Sequence, residues 1–185
     1  MEEGRARLEQ IEEIAPAPQG ISNVSNVTQL VDAKANVVVQ QLRNWNARAV
    51  SQVIEYHGQT TLVVPKELLR NTALQCRDNP ALNFNLLSDV TCVDRFPFEP
   101  RFELNYQLIS IPRTARISLR TSVSAQQPFV DSLMPVWPGA NWLEREVFDL
   151  FGIHFEGHTD LRRLLLPEGF VGFPLRRDFP TEGQR

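Results

Sequence analysis

The chain has 185 residues, enough for one ordinary domain. Its 42% apolar and 22% charged composition reads as a soluble globular protein rather than a disordered one, and a net charge of −3 argues against a general nucleic-acid binder, which needs a concentrated basic face. Cys76 and Cys92 have no partners at metal-ligand spacing and cannot hold an iron–sulfur cluster alone; no run of about 18 apolar residues suggests a membrane span.

Residues 1–14 form a charged segment with Leu8, Ile11 and Ile14 at helical spacing, broken by Ala15-Pro16-Ala17-Pro18-Gln19-Gly20. The acidic start lacks the apolar stretch of a secretory signal, so the expected location is the cytoplasm. Residues 1–26 are read as segment and linker, 27–151 as the domain, and 152–185 as a tail. Val31, Ala35, Val38 and Leu42 predict a helix over 28–43, and residues 49–56 and 60–64 predict a hairpin around His57-Gly58. Pro65 suits the first turn of a second helix with Leu69, Ala73 and Cys76 inside, stopped at Asn79-Pro80. A strand follows through Phe84, Leu86, Val90 and Cys92. Residues 102–109 and 116–123 then alternate apolar and polar, as strands with one buried and one wet face do. The expected fold is a two-layer α+β domain of order α-β-β-α-β-β-β, with a largely antiparallel sheet and both helices on one face.

Pro128 and Pro135 bracket a predicted short helix over 129–134. A longer one spans 141–151, with Asn141 as its cap, Glu144 three residues on, Leu143, Val147, Leu150 and Phe151 as its apolar stripe, and Gly152 as its C-terminal cap. Beyond Gly152 the tail is rich in Gly and Pro yet also in Leu and Phe. Burying one such side chain is worth roughly 1.5–3 kcal/mol, so the tail needs a surface, and a partner's surface is favoured over its own domain.

Glu144, Arg145 and Asp149 fall on the polar side of the predicted helix, with Glu146 near its edge, and are read as a solvated or ion-paired face. Paired-carboxylate catalysis by Glu144 and Glu146 is a poor reading, because residues two apart on a helix do not face each other. His154 and His158 have metal-ligand spacing for a helix, but Gly152 and Gly157 flank them; a turn-stabilising His158 is preferred. Arg162-Arg163 and Arg176-Arg177-Asp178 suit protein docking or intrachain pairing, the planar guanidinium fixing register where hydrophobic contact cannot.

The stretch Glu144-Arg145-Glu146-x-Phe148-Asp149-Leu150-Phe151-Gly152-Ile153-x-Phe155-x-Gly157-His158, then Leu161-Arg162-Arg163-x-Leu165-Leu166-Pro167, resembles the signature of the C-type subunit of bacterial NADH–quinone oxidoreductase, the 30-kDa subunit of complex I. The resemblance continues through Gly172-Phe173-Pro174-Leu175-Arg176-Arg177-Asp178-Phe179-Pro180, is strong over 132–180 and extends weakly back to about residue 30. It implies a non-catalytic scaffold subunit of the peripheral arm, on the cytoplasmic side of the bacterial inner membrane. Such a protein would bind no flavin, cluster or quinone itself, while the complex carries FMN, iron–sulfur clusters and quinone on other subunits. The resemblance also implies docking beside the D-type, quinone-site subunit, with the B- and I-type subunits as further neighbours and membrane contact only through the complex. The motif residues Glu144, Arg145, Glu146, Asp149, Phe151, Gly152, Gly157, His158, Arg162, Arg163, Pro167, Pro174, Arg176, Arg177 and Asp178 are implied to serve docking. Thr159 stands where the family usually has Pro, which implies a looser turn after His158, and many members continue past the Asp-Phe-Pro run, so contacts made by such an extension are not assumed here. The alternatives are the equivalent subunit of a membrane-bound hydrogenase or ferredoxin–quinone reductase and, from another class, a free-standing hydrolase using Glu146 and His158.

Overall fold

The computed structural model describes residues 33–180, with side chains from residue 37. The expectations for residues 1–26 therefore lie outside the described residues. Helix α1 (Ala33–Trp45) is followed by strands β1 (Gln52–Tyr56) and β2 (Gln59–Val63), joined as a two-residue hairpin. His57 and Gly58 both take positive φ, 48° and 73°, the conformation whose twist matches the flanking strands. A 3-10 turn at Lys66–Leu68 leads into α2 (Leu69–Asp78), and three long strands follow: β3 (Leu86–Asp94), β4 (Phe102–Ser110) and β5 (Ala115–Val123). The five strands pair in the order β1-β2-β5-β4-β3. All neighbours are antiparallel except β2 and β5, which the excursion through α2, β3 and β4 brings together in parallel.

Strand β4 shows why the sheet forms. Phe102, Leu104, Tyr106 and Leu108 are buried on one face, with Leu42, Leu62, Leu69, Ala73, Cys76 and Phe84 in the same core. Its other face is polar and zipped across the strands: Arg120 Nε donates to Asn105 Oδ1 at 2.9 Å and Ser118 Oγ to Gln107 Oε1 at 2.7 Å.

The region after β5 departs from expectation. Residues 129–134 form no helix: Phe129–Asp131 is a strand, β6, paired in parallel with β7 (His154–Glu156) beyond the last helix, α3 (Ala140–Phe151). A short apolar run is ambiguous between helix and strand, and here a distant backbone partner decides it. Asn141 does not cap α3. It lies inside the helix, whose N-cap is Gly139 without a side-chain bond, and its buried Oδ1 has no partner. Glu144 turns away from the helix start as well, toward Ser132 and Leu133. Gly152 does cap the C-terminus, left-handed at φ 71° with its N–H on the Phe148 carbonyl. Ile153 and Phe155 join the core, so the folded unit passes Phe151, where the domain was expected to stop.

Candidate functional site

The apolar periodicity of α3 places Val147 and Phe151 in the core, with Leu143, Phe148 and Leu150 partly buried against it. The opposite side is covered too. Glu144, Arg145 and Asp149 are all buried, and only Glu146 of the four motif charges is exposed, so the expected solvated face is instead a buried polar seam. Glu144 faces the end of β6, where Oε2 accepts the Ser132 hydroxyl and Oε1 the Leu133 N–H, both at 2.6 Å. Burial pushes its carboxyl up to about 7, against the pull of those two donors and of Arg70. Glu144 and Glu146 thus share no site.

Asp149 and Arg145 face the segment after β7. Asp149 Oδ2 accepts three successive backbone N–H groups, from Leu164, Leu165 and Leu166, at 3.0, 2.7 and 2.9 Å, and Oδ1 accepts Arg163 Nη1 at 2.7 Å. Burial alone would raise this carboxyl. The Leu166 and Leu165 N–H groups, Arg163 and the Leu164 N–H hold it below the usual range instead. Arg145 donates to the carbonyls of Arg162 and Arg163 at 3.1 and 3.2 Å under the Trp142 ring. Arg163 ties in the next turn by donating to the carbonyls of Phe170 and Gly172. One helix face therefore fixes a stretch of chain with no helix or strand of its own.

The end of α3 is held similarly. Arg176 Nε donates to the Phe151 carbonyl at 2.7 Å, satisfying an acceptor the helix cannot satisfy itself, and its guanidinium lies between the rings of Phe102 and Phe173. A Cβ at Gly152 would meet the Phe173 ring at 2.5 Å and Arg176 Nη2 at 2.8 Å. Farther on, Arg101 forks twice, onto Asp94 at 2.9 and 2.7 Å and onto Asp178 at 2.9 and 2.6 Å. Asp94 also accepts the Arg177 N–H at 2.9 Å. Burial would raise the Asp94 carboxyl, but Arg101 and the N–H groups of Arg177 and Phe96 bring it down to about 2.

The motif residues thus divide. Arg145, Asp149 and Arg163 meet in one clamp, and Arg162 pairs with its near neighbour Asp160. Arg176 holds a carbonyl beside two rings, and the exposed Arg177 donates to the Phe96 carbonyl at 3.1 Å. His158 Nδ1 accepts the Asp160 N–H, which leaves Nε2 to donate to the Asn141 carbonyl at 3.3 Å across the turn beginning at Gly157, φ 81°. Pro167 and Pro174 flank the loop that Arg163 gathers, the Pro167 carbonyl accepting the Phe170 N–H. Asp94, Arg101 and Ser132 carry this arrangement, and the sequence reading gave them no role. No local pattern marks them, since Arg101 and Asp178 are 77 positions apart. Among the described residues no group of three or more His, Cys, Asp and Glu could hold a metal ion, and no helix is long and apolar enough to cross a membrane.

Pinned this way, the segment still points apolar side chains outward. Leu165, Val171 and Leu175 are 60%, 63% and 51% exposed, and Trp142 on α3 is 59% exposed. Apolar area is therefore left exposed on a backbone that the chain's own polar groups hold.

The family described as respiratory-chain NADH dehydrogenase, 30 Kd subunit, matches residues 62–185. The C-type subunit of NADH-quinone oxidoreductase from Geotalea uraniireducens is 40% identical over 151 residues, covering 82% of this chain and 91% of that protein. Its counterpart from Roseiflexus sp. is 43% identical over 143 residues, covering 77% and 82%. Among solved structures, a trypsin-resistant fragment of Nqo5 is 31% identical with a TM-score of 0.61, covering 69% of this chain and 99% of the fragment. A chain of an archaeal membrane-bound sulfane sulfur reductase shares the fold at 24% identity, TM-score 0.67, covering 80% and 86%.

Proposed function

Since the chain belongs to the 30-kDa subunit family of respiratory-chain NADH dehydrogenases, we propose that it is a cofactor-free scaffold of the peripheral arm of a proton-pumping NADH–quinone oxidoreductase. It docks beside the D-type, quinone-site subunit, with the B- and I-type subunits as neighbours, on the cytoplasmic face of the bacterial inner membrane, and has no turnover by itself. The observation that carries this reading is the pinned segment 160–178, whose polar groups are spent on its own chain while Leu165, Val171 and Leu175 face outward. A surface ordered before binding loses little conformational entropy on docking, which suits a protein that keeps redox partners at fixed separation.

The test is to purify the tagged chain from a host that uses it, by gentle and by dissociating routes. The gentle route is expected to bring down flavin and iron–sulfur absorbance with NADH–quinone turnover. The dissociated, refolded chain is expected to be colourless and inactive. A stoichiometric chromophore or metal retained by the isolated chain after desalting would overturn the scaffold reading, and so would its absence from the assembly.

A further inference from the structure

A second surface lies away from the clamp. Val37 and Val38 of α1, Leu82 and Phe84 of the loop before β3, and Ala115 at the start of β5 line an open groove of about 380 Å³. Arg113, in the turn between β4 and β5, lies on its rim and donates Nη2 to the Pro80 carbonyl at 3.0 Å, which fixes the guanidinium there. Among the described lining residues the only charged group is Arg113, so an apolar segment with an acidic edge is complementary to it.

We propose that this groove is the docking site for residues 8–14 of the same chain, with Leu8, Ile11 and Ile14 in the groove and Glu9, Glu12 and Glu13 toward Arg113. Three observations support that occupant. Leu8, Ile11 and Ile14 recur at helical spacing, giving the short segment one apolar stripe. Charge is complementary: among the described residues that line the groove the one charged side chain is Arg113, whereas residues 8–14 carry three Glu and no basic residue. Finally, the chain enters the domain through α1, a wall of the groove, and residues 15–27, which precede the expected helix, could span at most about 45 Å. Such a tether gives an effective concentration of order mM, so even weak affinity keeps the groove filled.

The test uses the full chain with a nitroxide on Gln10→Cys and with Cys92→Ser, leaving the buried Cys76 in place. Amide signals of Val37, Leu82 and Ala115 are expected to be lost to broadening. They should return with Leu8→Ser/Ile11→Ser, return partly with Arg113→Glu, and be lost again when Arg113→Glu is combined with Glu9→Lys, Glu12→Lys and Glu13→Lys. Broadening that is absent, centred elsewhere or indifferent to these substitutions overturns the proposal. So does broadening seen only between labelled and unlabelled copies in a mixed sample, which would make a second chain the occupant.

Discussion

Glu144 is ordinary in sequence and unusual in place. Its carboxyl is buried, held by Ser132 and Leu133, and raised from 4.5 to about 7 chiefly by desolvation. Below about pH 4.5 both folded and unfolded chains carry the proton, so the group leaves stability unchanged. Between there and about 7 the unfolded chain ionises first, the folded state binds more protons, and stability falls as pH rises. The drop is on the order of 3 kcal/mol for a shift of this size. Glu144→Gln keeps an acceptor for the Leu133 N–H and offers a donor to Ser132 Oγ, so it is expected to flatten that slope. Urea midpoints at pH 5 and pH 7.5 measure it; an unchanged slope in the variant would show that the carboxyl is ionised when folded. Asp94 behaves oppositely: held down at about 2, it stabilises the fold above about 3.8 and loses that contribution as pH falls toward 2.

At the scale of elements, the long alternating strands and the β1–β2 hairpin were legible, and the three-residue strands β6 and β7 were not. Phe102, Leu104, Tyr106 and Leu108 announce β4 because burial on one face dictates period two. The helix expected over 129–134 proved to be β6 because three residues carry too little pattern, and their pairing with β7 is a long-range choice. The cap at Gly152 was legible, but its second constraint was not, because Phe173 and Arg176 come from a segment with no periodicity. Gly152→Ala is therefore expected to cost more than the roughly 1–2 kcal/mol of a left-handed backbone, since the new Cβ also displaces the Phe173 ring and loosens Arg176 from the Phe151 carbonyl. Denaturant titration with an unchanged m-value checks it. A loss within the backbone cost alone would mean that Phe173 moves freely.

For the whole molecule, the C-terminal stretch behaves as two things at once. Its Gly and Pro content, with its leucines and phenylalanines, marked it as seeking a surface, and the sequence reading favoured a partner's surface over its own domain. Its backbone and arginines are spent within the chain, through Asp149, Arg145, Phe151 and the Asp94–Arg101–Asp178 fork, while Leu165, Val171 and Leu175 remain outside. Ile153 and Phe155 belong to the core, so cutting at Phe151 would damage the fold and remove the proposed docking face together. The two are separated by altering only the outward side chains. The most direct measurement is therefore the triple variant Leu165→Glu/Val171→Glu/Leu175→Glu, followed by its melting temperature in isolation and by the fraction of tagged protein in the intact complex on a native gel. A scaffold that docks through this pinned face predicts a melting temperature close to wild type and loss of incorporation; incorporation equal to wild type would contradict it.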